Sequence, residues 1–362
     1  MTAAGETGRR GYHLSARTNP TAAEARAEAL GKMLRTPYPR QQLALRQPLR
    51  GADDYVAALR HVYFQNPFFK LTDDEAEALV SQVQPEPLGG LIEARHRAMY
   101  AHAPKYVVFC MPKSGSSFLK SALQHALQLP SFSLTSFGNG QLSSHFGMNP
   151  REQELDELAL IKAALSAPNG FVAQHHTRYT LYLALQIGAY RLKPVVTVRN
   201  ILDALVSFDD MMLATRATEG QNAWIGDAPF ALPLGYHALA PEARYRLLAP
   251  SLGVWLVQFH LSWMRCRRQA VVEPLVIRYE EDILDPPRLI ARLSEALALD
   301  ELQVFRLREF VARPDPARSR FNVGRAGRGR EAVPDDVRDF LLGYARNFEG
   351  ELPADEIAYL LG

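Results

Sequence analysis

The sequence predicts an α/β protein in which a parallel β-sheet lies between two layers of helices. Four short apolar segments are candidate buried strands: residues 105–111, 170–174, 194–198 and 273–279. The segments between them, such as 116–129 and 178–190, carry apolar residues at helical spacing. Strands that alternate with helices typically form a parallel sheet that is covered on both faces. We therefore expect a three-layer domain over residues 101–362.

The first 100 residues are predicted to form an N-terminal helical extension, residues 1–100. Residues 21–34 have apolar side chains at helical spacing after a threonine that can cap a helix. Residues 53–64 and 72–83 open with acidic side chains, which favour helix N-termini. The chain is therefore expected to contain this extension and one larger domain.

Composition excludes several classes of protein. The formal net charge of +2 over 362 residues gives no general signal for nucleic-acid binding. The two cysteines, Cys110 and Cys266, lie far apart, and no cluster has metal-ligand spacing. The first 20 residues lack the apolar segment of a signal peptide, and no run of about 18 apolar residues predicts a membrane span. We expect a cytoplasmic protein without a disulfide framework, metal, nucleic-acid partner or membrane span.

The segment 106–123, YVVFCMPKSGSSFLKSAL, predicts a strand, a tight loop and a helix. The N-terminus of a helix carries unpaired N–H groups and a partial positive charge, which attract phosphate. Gly115 permits close approach of the backbone, and Lys113 adds a mobile positive charge. Three serines add hydroxyl donors: Ser114, Ser116 and Ser117. The loop is a candidate anion site, and it lacks the GxxxxGKS/T pattern of Walker A loops.

The stretch PKSGSSFL at residues 112–119 resembles the PKSGTTWL loop of sulfotransferases that use 3′-phosphoadenosine 5′-phosphosulfate (PAPS), of the bacterial, cytosolic type. The resemblance implies a P-loop NTPase-like sulfotransferase fold with PAPS as co-substrate and no metal. It assigns Lys113 to the oxygen between phosphate and sulfate. It assigns the next four residues to the phosphate: Ser114, Gly115, Ser116 and Ser117. Phe118 replaces the family's usual tryptophan, and the resemblance gives it an adenine-stacking role.

Residues 195–208, VVTVRNILDALVSF, resemble the second motif of the same family. In that motif an arginine, and a serine eight residues later, hold the 3′-phosphate. The corresponding residues are Arg199 and Ser207. Arg199 would lie at the end of a strand, with Ser207 two turns into the next helix. A guanidinium group suits a phosphate dianion because it can donate two parallel hydrogen bonds.

Residues 275–293, LVIRYEEDILDPPRLIARL, resemble a third family segment, which would bring Tyr279 near the adenine. A fourth segment, residues 313–330, contains six arginines and three glycines. It resembles the family's RKGxxG segment, with Gly324 and Gly327 as the two glycines. Asn322 stands where the family usually has arginine, so that either Arg320 or Arg325 would bind the 3′-phosphate.

A histidine pair is the candidate catalytic base. Transfer to a hydroxyl needs a positioned base, and histidine has a pKa near neutral pH. His175 and His176 follow the second candidate strand, at the edge where α/β sheets bind ligands. The family often has FxKTH here, with its histidine as base: matching the strand selects His175, while the distance to a downstream arginine favours His176. Side chains of neighbours in a strand point to opposite faces, so we expect one of them to face the site. Asp209 and Asp210 are the carboxylate alternatives.

The acceptor side is predicted to involve a long loop. Residues 209–250 are rich in Met, Pro, Gly and aromatic side chains, and a long loop in a compact domain is usually functional. Candidate wall residues are Met211, Trp224 and Phe230, with His145 from a second loop at 131–150. The expected partner is a small-molecule, carbohydrate or lipid acceptor, and phenols and peptides stay open. The alternative functions are a P-loop-like kinase and a noncatalytic protein that binds nucleotide or polyanion.

Overall fold

The computed structural model describes residues 85–134, 155–219, 235–270, 272–313 and 325–362, together with Pro233. The chain divides into two compact units, residues 1–92 and 93–362. Nearly all of the predicted helical extension lies outside the described residues. The predicted boundary at residue 100 therefore stays a prediction.

Five strands form one parallel sheet in the order β2-β3-β1-β4-β5. The strands are β1 (Lys105–Cys110), β2 (Ser131–Phe132), β3 (Phe171–His175), β4 (Leu192–Val198) and β5 (Leu275–Arg278). All four candidate strands are present, which confirms the predicted α/β fold with a helix-covered parallel sheet. The edge strand β2 was missed because two residues carry no periodic pattern.

Helices connect and cover the strands. In chain order they are α1 (Pro85–Tyr100), α2 (Ser116–Leu127), α3 (Glu157–Ser166), α4 (Leu181–Tyr190), α5 (Ile201–Glu219), α6 (Pro241–Leu248), α7 (Val254–Gln269), α8 (Pro286–Leu297), α9 (Glu301–Ala312), α10 (Arg328–Ala332), α11 (Asp335–Arg346) and α12 (Ala354–Leu361). A π-helical turn, Tyr279–Ile283, joins β5 to α8.

The central strand β1 positions the site. All six of its residues are buried, and it lies between β3 and β4. Phe109 is in register with both His175 and Val196, so the residues that follow the three strands meet at one edge of the sheet. β1 leads to β2 on one side and β4 leads to β5 on the other. The crevice between β1 and β4 is therefore a topological switch point, where α/β proteins bind ligands.

One face of the sheet packs against α2, α8 and α9. Their leucines, Leu119, Leu293 and Leu307, are fully buried in one cluster with Val108 and Val195 of the sheet. Truncating such a leucine to alanine costs about 2–5 kcal/mol of stability. This core fixes the start of α2, and with it the loop that follows β1.

The long loop predicted at 209–250 is mostly helical where the structure describes it. α5 runs on to Glu219, because the segment after Ser207 is rich in good helix formers such as Met, Leu and Ala. α6 begins at Pro241, a residue suited to the first turn of a helix. The prediction of a structureless segment was therefore wrong in these parts.

The residues predicted for the acceptor side fall in different places. Met211 lies on α5 with a partly exposed side chain. Trp224, Phe230 and His145 lie outside the described residues. The structure therefore leaves the predicted acceptor wall untested.

The run Pro241–Gln269 contains α6, a π-helical turn (Ala249–Gly253) and α7, and it is long and apolar enough to cross a membrane. Most of its apolar window is buried inside the protein, as in a core helix. Trp263 of this run, for example, packs against Phe109 with ring centroids 5.0 Å apart. Length and composition of one such helix are weak evidence for a membrane span.

Candidate functional site

The loop between β1 and α2 turns sharply through two left-handed residues. Lys113 has φ of 68° and Gly115 has φ of 79°. A Cβ at Gly115 would lie 3.2 Å from side-chain atoms of Tyr279 and Ile283, so the close packing there favours glycine. α2 then begins at Ser116 without a side-chain cap and without an acidic residue in its first turn. Its first N–H groups can therefore serve an external anion.

Two of the three loop serines are engaged inside the protein. The Ser114 hydroxyl is fully buried, 2.7 Å from the carbonyl oxygen of Met111 and 2.6 Å from the hydroxyl of Thr197 on β4. The Ser116 hydroxyl accepts a 2.8 Å hydrogen bond from the amide of Gln174 on β3. These hydroxyls tie the loop to its neighbouring strands, whereas Ser117 is partly exposed. The backbone N–H of Ser114 also donates to the carbonyl of Met111, at 3.4 Å, so the predicted phosphate contact of Ser114 has no support from its position, whereas Ser116 can offer the N–H at the start of α2.

Arg199 joins the predicted phosphate segments. It follows β4, and only 5% of its surface is exposed. Its Nη1 donates to the carbonyl of Lys113 at 3.0 Å, and its Nη2 donates to the carbonyl of Arg325 at 3.3 Å. The guanidinium lies over the ring of Tyr279, 4.0 Å from the centroid. The structure thus brings together four residues that the sequence had assigned to nucleotide binding.

One nitrogen of Arg199 is not used. Its Nε is buried and has no hydrogen-bond partner in the described structure. The nearest carboxylate oxygen is Oε1 of Glu280, at 3.9 Å, beyond hydrogen-bond distance. A buried donor without an acceptor is costly, which marks this nitrogen as a candidate ligand contact.

Asp203 binds the backbone of the glycine- and arginine-rich fourth segment near its end, at residues 327–329. Its carboxylate accepts hydrogen bonds from the backbone N–H of Gly327 at 2.8 Å and of Gly329 at 2.6 Å. A Cβ at Gly329 would lie 2.3 Å from the backbone of Leu202, so only glycine fits. Asp203 also lies 3.7 Å from Arg199, four residues before it. Sequence reasoning missed Asp203, although an acidic residue one turn after an arginine was a visible signal.

The remaining predicted nucleotide residues are placed as follows. Ser207 is buried on α5, two turns along the helix as predicted. Gly324 and Arg320 lie outside the described residues. Phe118 is 5% exposed and packs against Phe310, with ring centroids 5.8 Å apart. Its ring therefore belongs to the core between α2 and α9, and the predicted adenine stacking has no support from its position.

The two histidines differ in their surroundings. His175 is buried, and its Nε2 accepts a 3.0 Å hydrogen bond from the backbone N–H of Leu134. Burial, together with the charges of His176 and Lys120, lowers the pKa of His175 to about 3. His175 is therefore a neutral acceptor that fixes the chain after β2.

His176 is partly exposed and is held by Cys110. Its Nδ1 lies 2.9 Å from the carbonyl oxygen of Cys110 and 3.3 Å from its sulfur. Because a carbonyl only accepts, Nδ1 carries the proton, and the lone pair of the neutral ring is on Nε2. Burial lowers the pKa of His176 and the charge of Lys113 lowers it further, but the contacts with Cys110 outweigh both and raise it.

The carboxylate alternatives are both paired with arginine. Asp209 is buried and receives two hydrogen bonds from Arg244, at 2.8 and 2.9 Å, and one from Tyr236 at 2.7 Å. Asp210 accepts a 2.7 Å hydrogen bond from Arg328. These pairings give both aspartates structural partners. Among the described residues, no group of three or more His, Cys, Asp or Glu side chains could hold a metal ion.

Comparisons with known proteins find a likeness among solved structures only. No family model matches the sequence, and no curated protein matches it. Among solved structures, the chain is similar to the mouse sulfotransferase SULT7A1 complexed with PAP, with a TM-score of 0.45 and 15% identity. The match covers 74% of this chain and 92% of that chain. A likeness of this size carries no argument about function, which therefore depends on the residues of this chain.

Proposed function

We propose that this chain is a PAPS-dependent sulfotransferase that transfers a sulfuryl group to a hydroxyl or amine of a small-molecule, carbohydrate or lipid acceptor. The observation that carries the proposal is the convergence of the uncapped N-terminus of α2, Lys113 and buried Arg199 at the crevice between β1 and β4. A nucleotide with phosphates on both the 5′ and 3′ oxygens suits this arrangement. It offers one anion to α2 and a second to Arg199.

The chain's own groups fit such a nucleotide. The buried Nε of Arg199 lacks an acceptor, and a phosphate oxygen would supply one. Arg325, whose carbonyl accepts a hydrogen bond from Arg199, has an exposed side chain that is paired with Glu331 at 3.1 Å and can add a second positive charge. The carbonyl of Lys113 also accepts from Arg199, and the charge of Lys113 acts on His176. The proposed order along the crevice is therefore 3′-phosphate, 5′-phosphosulfate and acceptor.

In the proposed reaction, the acceptor oxygen attacks sulfur in line with the leaving phosphate. A bond forms between sulfur and the acceptor oxygen, and the bond between sulfur and the phosphate oxygen breaks. The hydroxyl proton passes to Nε2 of His176, and Lys113 stabilises the negative charge that develops on the phosphate. The products are a sulfated acceptor and 3′-phosphoadenosine 5′-phosphate (PAP).

His176, rather than His175, is the proposed base. The lone pair of His175 is already used, since its Nε2 accepts from Leu134. In His176 the bond from Nδ1 to the Cys110 carbonyl directs the lone pair to Nε2, the nitrogen away from β1. The partial exposure of His176 supports access by an acceptor.

Calorimetric titration tests the proposal. The protein is titrated with PAP, and separately with ATP and Mg²⁺. We expect micromolar or tighter binding of PAP and weaker binding of ATP, because ATP lacks the 3′-phosphate. Absence of PAP binding would contradict the proposed function, and preferential binding of ATP with Mg²⁺ would favour a kinase. PAP binding without transfer to any acceptor in a labelled-PAPS product screen would favour a noncatalytic nucleotide-binding protein.

A further inference from the structure

We infer that Tyr359, on the C-terminal helix α12, is a positioning residue for the 3′-phosphate site: it holds Glu280 away from Arg199 and so leaves Arg199 available to the phosphate. The inference rests on the proposed function. It concerns a helix that lies some 160 residues after Arg199 and that none of the resembling motifs includes.

Glu280 stands between Tyr359 and Arg199. Its Oε2 accepts a 2.6 Å hydrogen bond from the Tyr359 hydroxyl, and its Oε1 accepts a 3.1 Å hydrogen bond from the backbone N–H of Asn200. Oε1 is also 3.9 Å from the unpartnered Nε of Arg199. A carboxylate and a buried guanidinium donor are thus neighbours that do not hydrogen-bond, although a small rotation would bring them together. The two bonds to Glu280 oppose that rotation.

The helix that carries Tyr359 is anchored through buried polar groups. Glu356, one turn earlier, lies 2.9 Å from Nε2 of His260 and accepts a 2.6 Å hydrogen bond from Arg278. The Arg278 guanidinium also lies over the Tyr359 ring, 4.4 Å from its centroid. The amide of Asn200 donates to the Tyr359 carbonyl at 3.3 Å. With these contacts, the phenol has little freedom to leave Glu280.

Because Glu280 is largely buried, its carboxylate depends on the hydrogen bond from the Tyr359 hydroxyl. Burial raises the pKa of the Glu280 carboxyl, and the hydrogen bond from Tyr359 is the strongest influence that opposes this. If the hydroxyl is removed, Oε2 loses a donor in a buried place. A buried donor without an acceptor, Nε of Arg199, lies 3.9 Å from the other oxygen of the same carboxylate. Closer pairing with Glu280 would occupy this donor and further neutralise the cation that the 3′-phosphate needs.

The test compares two ligands that differ only in the 3′-phosphate. Affinities for PAP and adenosine 5′-phosphate are measured by calorimetry for the wild-type protein and for Tyr359→Phe. We expect PAP affinity to fall by about fivefold to tenfold in Tyr359→Phe, with the affinity for adenosine 5′-phosphate unchanged. Adding Glu280→Gln to Tyr359→Phe should restore most of the loss, because an amide does not neutralise Arg199.

Tyr190→Phe is the matched control. Tyr190 also donates to a glutamate, Glu157, at 2.7 Å, but it lies on α4. We expect its ratio of PAP to adenosine 5′-phosphate affinity to equal that of the wild type. An unchanged ratio in Tyr359→Phe, or an equal loss for both ligands, overturns the inference while the proposed function stands. If the wild-type protein itself does not distinguish the two ligands, the proposed 3′-phosphate site fails, and the inference fails with it.

Discussion

The carboxyl edge of the sheet has two sides that are built differently. Beyond β4 and β5, the charged groups Arg199, Asp203 and Glu280 are largely buried and each contacts several others. Beyond β3, His176 is partly exposed and its ring is fixed through Cys110. The first side therefore holds its polar groups in fixed positions, as the proposed anion site requires. The second side has a more exposed imidazole whose orientation is fixed, as the proposed base requires.

Substitutions on the two sides of the edge should therefore have different effects. On the buried side, each change should alter affinity or stability, because several bonds depend on each group. On the exposed side, a change should alter rate with little effect on the fold. The following predictions compare the two sides, from the largest expected effect to the smallest.

Replacing the proposed base should have the largest effect. In His176→Ala, we expect kcat to fall by about 10²–10⁴-fold, the usual contribution of a general base. PAP affinity should change little, because His176 lies outside the phosphate contacts. The measurement is the initial rate of sulfate transfer from labelled PAPS, with PAP titration alongside. The control is His175→Gln, which keeps an acceptor near the Leu134 N–H and should retain most of the activity. A larger loss in His175→Gln than in His176→Ala would reverse the assignment.

Removing the charge of Lys113 should have the next largest effect. In Lys113→Ala, we expect the transfer rate to fall by about 10²–10³-fold, because the charge on the leaving phosphate loses a stabilising cation. Single-turnover rates measure the transfer step directly. The left-handed backbone at residue 113 is adopted already by a non-glycine residue, so that the thermal unfolding midpoint should change little. Transfer at the normal rate in a folded Lys113→Ala protein would remove Lys113 from the mechanism.

Local patterns predicted the framework well. The strands and the loop after β1 were recognisable because short apolar segments, proline, glycine and helical spacing act over neighbouring residues. The positions of Lys113 and Arg199 at adjacent strand ends follow from that framework, since parallel strands bring their carboxyl ends to one edge. The helical continuation of α5 was missed because composition, rather than helix propensity, guided the interpretation.

Long-range contacts could not be predicted from the same patterns. The hydroxyl of Ser114 is bound by Thr197, 83 residues away, and Glu280 by Tyr359, 79 residues away. The hydrogen bonds that fix the two imidazole rings come from Cys110 and Leu134, which no spacing rule connects to them. A sequence motif thus indicates which residues gather at an edge. Three-dimensional packing decides which of their atoms stay available.

His175 should make stability depend on pH more than His176 does. Its folded pKa of about 3 lies below the ordinary value near 6.5, so its neutral form stabilises the fold above pH 6.5 and this contribution is lost as pH falls toward 3. Between pH 7 and 5 the loss is about 2 kcal/mol. Urea unfolding at the two pH values measures it. In His175→Gln the pH-dependent loss should shrink by that amount, and an identical loss in the variant would contradict the buried, neutral state.

The smallest expected effect concerns the pH dependence of the transfer step. A general base must be neutral, so the rate rises with pH as His176 loses its proton. Contact with Cys110 raises the pKa of His176, whereas Lys113 and burial lower it and the neighbouring His175 stays neutral. In Cys110→Ala the carbonyl bond to Nδ1 remains but the thiol is lost. We expect the pKa of His176 to fall, and the acidic limb of the pH–rate profile to move to lower pH. The limiting rate at high pH should stay within about twofold, because the tautomer is unchanged.

Cys266→Ala is the matched control, since its thiol donates to Val272 on another part of the chain. A shift to higher pH in Cys110→Ala would show that the thiol opposes protonation of His176, and the two sides of the edge would then differ less than their contacts indicate.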